Sequence, residues 1–116
     1  MKHHKAKRKF GRKANQYKAL MSSLARNMIR DEKIITTEAK AKELRPYIEK
    51  LLTKAKVDSV ATRRLINSRI RSEDLSNKLV TKIAPIYKDR EGGYTRITKL
   101  PLRAEDAAKM AHIEFV

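Results

Sequence analysis

Residues 33–55 read KIITTEAKAKELRPYIEKLLTKA, a β-branched run followed at once by apolar residues at helical spacing. The run Lys33–Thr37 predicts a short strand. From Glu38 onward apolar residues recur every three or four positions, and a carboxylate at this point suits the positive end of a helix dipole. Pro46 lacks the amide that would bond the carbonyl four residues earlier, so we expect a kink there or two helices that meet at Arg45.

Helices are predicted on both sides of this segment. The residues before it predict an amphipathic helix over positions 16–30. After it, one helix begins at Asp58 or Ser59, and another begins at Ser72 and is stopped by Pro85. The apolar residues that we expect the first of these two helices to turn inward are Val60, Leu65, Ile66 and Ile70.

Two more strands are predicted near the end of the chain, over residues 94–100 and 110–116, with a turn at positions 92–93. Helices combined with one early and two late strands predict an α+β fold, in which several helices pack on a small mixed three-stranded sheet behind a basic extended N-terminal arm. We assign residues 1–14 to this basic arm and residues 15–116 to a single α+β globular domain.

The charge of the chain is strongly asymmetric. It has 29 Lys and Arg residues against 13 Asp and Glu residues, a net charge of +16 over 116 residues. Ten of the basic residues and none of the acidic ones fall within the first 30 positions. A surface of this kind attracts polyanions and gains free energy by releasing counterions from phosphates, so nucleic acid is the leading partner class and an anionic membrane is the second.

The first 13 residues have charge without apolar periodicity. Such a segment cannot offset the entropy of its own ordering, so we expect it to be disordered in the free protein and ordered against phosphates.

The composition excludes several kinds of chemistry. The chain has no cysteine, which removes disulfides, thiolate nucleophiles and every cysteine-containing zinc finger. The only paired histidines, His3 and His4, sit among lysines and arginines that repel a metal ion. No apolar stretch is long enough to span a membrane. We therefore expect no enzyme activity, no cofactor, no metal, no small-molecule substrate and no membrane insertion.

Strand alternation places Arg96 on the face shared with Tyr94 if Ile97 is buried. Arg96 then either contacts RNA or forms a surface ion pair with Glu91 or Glu114. The choice for Tyr94 is between packing at the sheet edge and contacting RNA.

Two other functions fit parts of the sequence. Helices near residues 59–70 and 73–83 would suit a DNA-binding helix-turn-helix, although acidic residues in the turn would repel a phosphate backbone. A cationic peripheral membrane protein would need an apolar face left exposed on the first helix.

Five blocks of sequence are distinctive in their order and separation. They are Met1-Lys2-His3, Glu32-Lys33-Ile34-Ile35-Thr36-Thr37, Lys40-Ala41-Lys42-Glu43-Leu44-Arg45, Gly92-Gly93-Tyr94-Thr95-Arg96-Ile97 and Met110-Ala111-His112-Ile113-Glu114-Phe115-Val116. Together they resemble the bacterial large ribosomal subunit protein seventeen family over the whole chain. The resemblance implies a cytoplasmic structural component of the ribosome. It also implies binding to large-subunit ribosomal RNA and neighbouring ribosomal proteins near the exit tunnel, without catalysis.

Charge and resemblance together indicate which residues bind RNA. They are Lys2, His3, Lys5, Lys7, Arg8, Lys9, Arg12, Lys13, Lys18, Arg26, Lys40, Arg63, Arg64, Tyr94, Arg96 and Arg103.

Overall fold

The computed structural model describes residues 10–116, in which four helices pack on a three-stranded sheet, and the predicted α+β class is confirmed there. Most of the predicted arm, residues 1–9, lies outside the described residues. The elements in chain order are α1 (Ala14–Asp31), β1 (Lys33–Thr37), α2 (Glu38–Ala55), α3 (Val60–Ile70), α4 (Glu73–Lys78), a π-helical turn (Leu79–Ile83), a 3-10 turn (Ala84–Tyr87), β2 (Thr95–Leu100) and β3 (Met110–Phe115).

The sheet is antiparallel throughout and has the strand order β1-β3-β2. The predicted mixed sheet is therefore wrong. β2 and β3 form a hairpin through the loop of residues 101–109, and β1 pairs with the far side of β3, so that Ile34, Ile113 and Ile97 lie side by side across the sheet. Antiparallel direction follows for β2 and β3 because a short loop cannot make a parallel crossover.

Two local caps fix the path of the chain into and out of β1. Glu32 adopts a left-handed conformation (φ 65°), and its amide closes the last turn of α1 on the carbonyl of Met28. Thr37 ends the strand and caps α2, because its Oγ1 accepts a hydrogen bond from the amide of Lys40 at 3.3 Å. The strand is therefore held between two helices with no intervening loop.

Pro46 lies inside α2, which runs without interruption from Glu38 to Ala55. The predicted alternative in which two helices meet at Arg45 is therefore wrong. Pro46 and Lys42, four residues earlier, are both exposed. The carbonyl that proline leaves without an intrahelical donor is thus on the solvent side of the helix, where water can satisfy it.

The second half of the helical layer departs from prediction in two places. Ser59, one of the two predicted starting positions, caps α3. Val60 is 66% exposed and Leu65 is only half-buried, so the inward face of this helix consists of Ile66 and Ile70. Pro85 does not end the last helical segment. It lies in the first turn of the 3-10 helix, directly after the π-helical turn, whose last hydrogen bond runs from the amide of Ala84 to the carbonyl of Leu79.

The core lies between the inner face of the sheet and the helices. α2 contacts all three strands, and its Leu44 and Ile48 are fully buried, as is Ile113 on the central strand. Met28 and Ile29 of α1 complete the same cluster.

We expect Leu44→Ala to lower the free energy of unfolding by about 2–5 kcal/mol, because truncating a fully buried leucine removes its apolar packing and leaves a cavity. Leu102→Ala is the matched control, since this leucine is 58% exposed and its truncation should change stability little. Urea titration measures both. Equal losses of stability for the two variants would contradict this assignment of the core.

Candidate nucleic-acid interface

A groove of about 980 Å³ runs between α1, α2 and α3. Its cationic lining residues come from all three helices: Lys18, Lys50, Lys54, Arg69 and Arg71. All five are exposed, and none forms an ion pair with another residue between 10 and 116. This set, named here the basic groove, holds five cations and one carboxylate, Glu43.

Helical spacing brings the cations to one place. Lys50 and Lys54 are four residues apart on α2, so they lie one above the other beside the buried Leu51. Arg69 and Arg71 lie at the C-terminal end of α3, where the helix dipole favours positive charge. The helix packing thus converts three separate stretches of sequence into one positive surface.

The end of α3 is held by donors from the neighbouring helices. The carbonyl of Arg69 accepts hydrogen bonds from Ser22 Oγ at 2.6 Å and from Tyr47 Oη at 3.2 Å. The carbonyl of Ile70 accepts one from Arg26 Nη1 at 2.8 Å. These carbonyls have no partner within the helix, so donors from α1 and α2 satisfy them and fix the groove walls relative to one another.

The same contact gives Arg26 a structural role. Its side chain is half-buried and reaches α3 rather than the basic groove, although only one of its five donors is used there. The RNA contact predicted for Arg26 stays a prediction.

Glu43, the one acidic residue of the groove, is engaged by its surroundings. Its Oε1 accepts a hydrogen bond from Tyr17 Oη at 3.0 Å, which links α2 to the buried side of α1. A carboxylate that is held in this way offsets a single cation, so the groove stays strongly positive.

Two of the predicted RNA-binding arginines each donate two hydrogen bonds to one carboxylate. Arg63 donates two hydrogen bonds to Asp58, at 2.7 and 3.0 Å, and a third to Asn77. Arg103 binds Asp106 through two bonds of 3.0 Å. These hydrogen bonds lower the pKa of both carboxyl groups below the ordinary value of 3.8. A guanidinium committed to a carboxylate has fewer donors left for a phosphate.

Tyr94 is buried, with none of its surface exposed. Its hydroxyl lies 3.1 Å from Thr53 Oγ1 and 3.1 Å from the carbonyl of Arg90, and its ring packs edge-on against Tyr87. Of the two predicted roles for Tyr94, packing fits its burial. Its side chain has no exposed surface with which to contact RNA. Tyr94 lies one residue before β2, and its carbonyl accepts a hydrogen bond from the amide of Val116 at 2.9 Å.

Arg96 is exposed and its Nη1 lies 3.8 Å from Glu114 on the adjacent strand. The predicted alternation holds over residues 95–97, since Thr95 is buried, Arg96 is exposed and Ile97 is half-buried. The predicted face shared by Arg96 and Tyr94 is wrong, because Tyr94 is fully buried. An exposed pair of this length contributes at most about 1 kcal/mol, so it leaves Arg96 able to exchange its partner for a phosphate.

The remaining predicted cations are distributed around the molecule. Arg12 and Lys13 are exposed where α1 begins, and Arg12 Nη1 donates to the carbonyl of Phe10 at 3.0 Å. Arg64 is exposed on α3, and Lys40 is half-buried in the first turns of α2. Six predicted residues lie outside the described range: Lys2, His3, Lys5, Lys7, Arg8 and Lys9.

Of the five cations of the basic groove, Lys18 is among the residues predicted to bind RNA. The other four were not predicted: Lys50, Lys54, Arg69 and Arg71. The i,i+4 spacing of the two lysines beside a buried leucine was the available signal. Taken alone, that spacing is equally typical of a solvated helix face.

Over residues 10–116 no group of three or more histidine, aspartate or glutamate side chains is placed to hold a metal ion. Within the same range no helix combines the length and apolar character needed to cross a membrane.

Comparison with known proteins gives two concordant results. The sequence profile of the family described as Ribosomal protein L17 matches residues 20–116. The Large ribosomal subunit protein bL17 of Campylobacter concisus is 47% identical over 116 residues, which is 100% of this chain and 98% of that relative.

We expect Arg63→Gln to raise the pKa of Asp58 towards 3.8, because the side-chain hydrogen bond is the largest cause of its lowering. Since the folded pKa is lowered, the pair stabilises the fold above the ordinary pKa, and this contribution is lost as the pH falls through the lowered value. Carboxyl-detected NMR titration measures the shift. Arg64→Gln, which removes the neighbouring exposed charge, should leave Asp58 unchanged; an equal shift in both variants would contradict the specific pair.

Proposed function

The chain belongs to the ribosomal protein L17 family, and on that premise we propose that it binds large-subunit ribosomal RNA in the basic groove. It is a structural protein of the large ribosomal subunit and not an enzyme. Its partners are then the ribosomal RNA and the neighbouring ribosomal proteins, and its place is the ribosome in the bacterial cytoplasm.

The single observation that carries the proposal is the convergence of five exposed cations without ion pairs on one concave surface. Elsewhere on the described surface, arginines such as Arg63 and Arg103 are engaged by carboxylates. Unpaired cations are the ones that gain by meeting phosphates, because no existing ion pair must be broken first.

The basic groove is suited to an RNA backbone rather than to single bases. Its two tyrosines are engaged by the protein, since Tyr17 is buried and the hydroxyl of Tyr47 bonds the end of α3. Lysines and arginines contact phosphates without regard to sequence, whereas base stacking needs exposed aromatic faces. We therefore infer that the groove recognises the path of a folded RNA backbone.

The predicted arm extends the same function. Residues 1–13 directly precede α1 along the chain, and α1 contributes Lys18 to the groove. The arm is therefore joined to a helix that an RNA bound in the groove would contact. Arg64, Arg96 and Lys40 are further proposed contacts on other faces of the molecule.

The alternative functions find less support in the fold. A helix-turn-helix protein would need Arg63 free to enter a groove of DNA, but this side chain is tied to Asp58 and to Asn77 of α4. A peripheral membrane protein would need an exposed apolar face on α1, where Met21 and Met28 are instead buried in the core.

We expect the double variant Lys50→Gln/Lys54→Gln to weaken binding to purified large-subunit ribosomal RNA and to flatten the salt dependence of that binding. For every phosphate that is no longer neutralised, the slope of log affinity against log salt should fall by about 0.7–0.9, the value calibrated on DNA. Filter binding at several salt concentrations measures the slope.

Lys82→Gln/Lys88→Gln is the matched control, because it removes the same charge from exposed lysines outside the groove. If the two double variants bind RNA with equally reduced affinity, net charge rather than the basic groove accounts for binding. Unchanged affinity in the groove variant would also count against the proposal.

A further inference from the structure

The outer edge of β1 presents unpaired backbone groups. Phe115 donates its amide to the carbonyl of Glu32, and Glu38 donates its own to the carbonyl of Lys109, so these two pairs bracket the β1-β3 ladder. Hydrogen-bonded pairs alternate in an antiparallel ladder, which directs the amides and carbonyls of Ile34 and Thr36 towards β3. Those of Lys33 and Ile35 consequently point away from the sheet.

The opposite edge of the sheet, on β2, has a side-chain partner for one of its outward backbone amides. On β2 the outward amide of Thr95 donates to Glu49 Oε2 at 3.2 Å, and the Thr95 hydroxyl donates to the same oxygen at 2.9 Å. A side chain thus covers the first outward position of β2. Among residues 10–116, no comparable contact reaches Ile35 on β1.

A concavity of about 650 Å³ follows the β1 edge. On one side it is lined by Leu24 and Asn27 of α1, and on the other by Ile35 and Leu100 of the outer sheet face. Ile35 is 66% exposed although it lies at the centre of the strand. The edge therefore combines unpaired backbone groups with the exposed side chain of Ile35, beside a lining that also holds Arg30, Asp31 and Lys33. An edge with unpaired backbone groups is a template for pairing with another strand.

We propose that the β1 edge receives an extended segment of a neighbouring large-subunit protein, which adds a fourth strand to the sheet. This inference rests on the proposed function, which places the chain among such neighbours. The required partner segment has backbone donors and acceptors at strand spacing and apolar side chains at alternate positions, one of which covers Ile35.

The chemistry of the edge favours this occupant over the others. RNA phosphates accept hydrogen bonds but cannot donate to the outward carbonyls. The ribose 2′-hydroxyl can donate, but it neither alternates donors and acceptors at strand spacing nor covers an exposed isoleucine. A second copy would bring together two chains of net charge +16. Residues 1–9 contain seven Lys, Arg or His side chains and so lack the alternate apolar residues that the edge requires.

The test uses large subunits assembled in cells with a photo-cross-linking residue at position 27, which lines the concavity. Ile35→Pro removes the outward amide while sparing the ladder bonds, since proline is tolerated on an edge strand where its nitrogen faces solvent. Lys99→Pro is the matched control, because the β2 ladder pairs Val116 with Tyr94 and so directs the amide of Lys99 outward on the opposite edge.

We expect a cross-link to a neighbouring ribosomal protein that falls about fivefold or more with Ile35→Pro, as when one hydrogen bond is removed, and persists with Lys99→Pro. A cross-link to RNA, to a second copy or to residues 1–9 would overturn the proposal. So would an absence of cross-linking, or a protein cross-link that Ile35→Pro does not weaken.

Should Ile35→Pro fail to enter subunits, hydrogen exchange of the unmodified chain decides the question. Slower exchange of the Ile35 amide in subunits than in the free protein supports strand addition, and equal exchange overturns it. RNA binding by the basic groove is measured separately on purified RNA, so a failure of strand addition does not count against the proposed function.

Discussion

The carbonyl groups at the C-terminal end of α3 must find hydrogen-bond donors outside their own helix, and the donors are Ser22 and Arg26 of α1 and Tyr47 of α2. Each of these hydrogen bonds contributes about 0.5–1.5 kcal/mol, or more for the charged Arg26 donor, so together they constrain how the three helices meet. The basic groove lies between these helices. Its shape and the position of Arg69 on its wall depend on that contact.

The basic residues fall into two groups, those paired with a carboxylate and those without such a pair. Arg63 and Arg103 are engaged by carboxylates, whose pKa values are lowered as a result. Lys50, Lys54 and Arg71 have no ion pair within residues 10–116 and gather where three helices converge. Net charge alone predicts an affinity for polyanions. The distribution of carboxylates determines which surface keeps unpaired cations that can bind a polyanion.

Local signals in the sequence predicted β1, the start of α2 and the caps at Ser59 and Ser72 because a few adjacent residues determine each of them. The antiparallel direction of β1 could not be predicted in this way, since it depends on pairing with β3, almost eighty residues later. Most of the basic groove escaped prediction for the same reason: its lysines and arginines belong to different helices, and only tertiary packing brings them together.

The proposed function requires RNA to cover the basic groove in the large subunit. Its most direct test is lysine acylation followed by mass spectrometry, carried out on the free protein and on intact large subunits. If RNA covers the groove, Lys18, Lys50 and Lys54 react in the free protein and are protected in subunits more strongly than Lys82 and Lys88. Groove lysines that remain as reactive in subunits as in the free protein would contradict it.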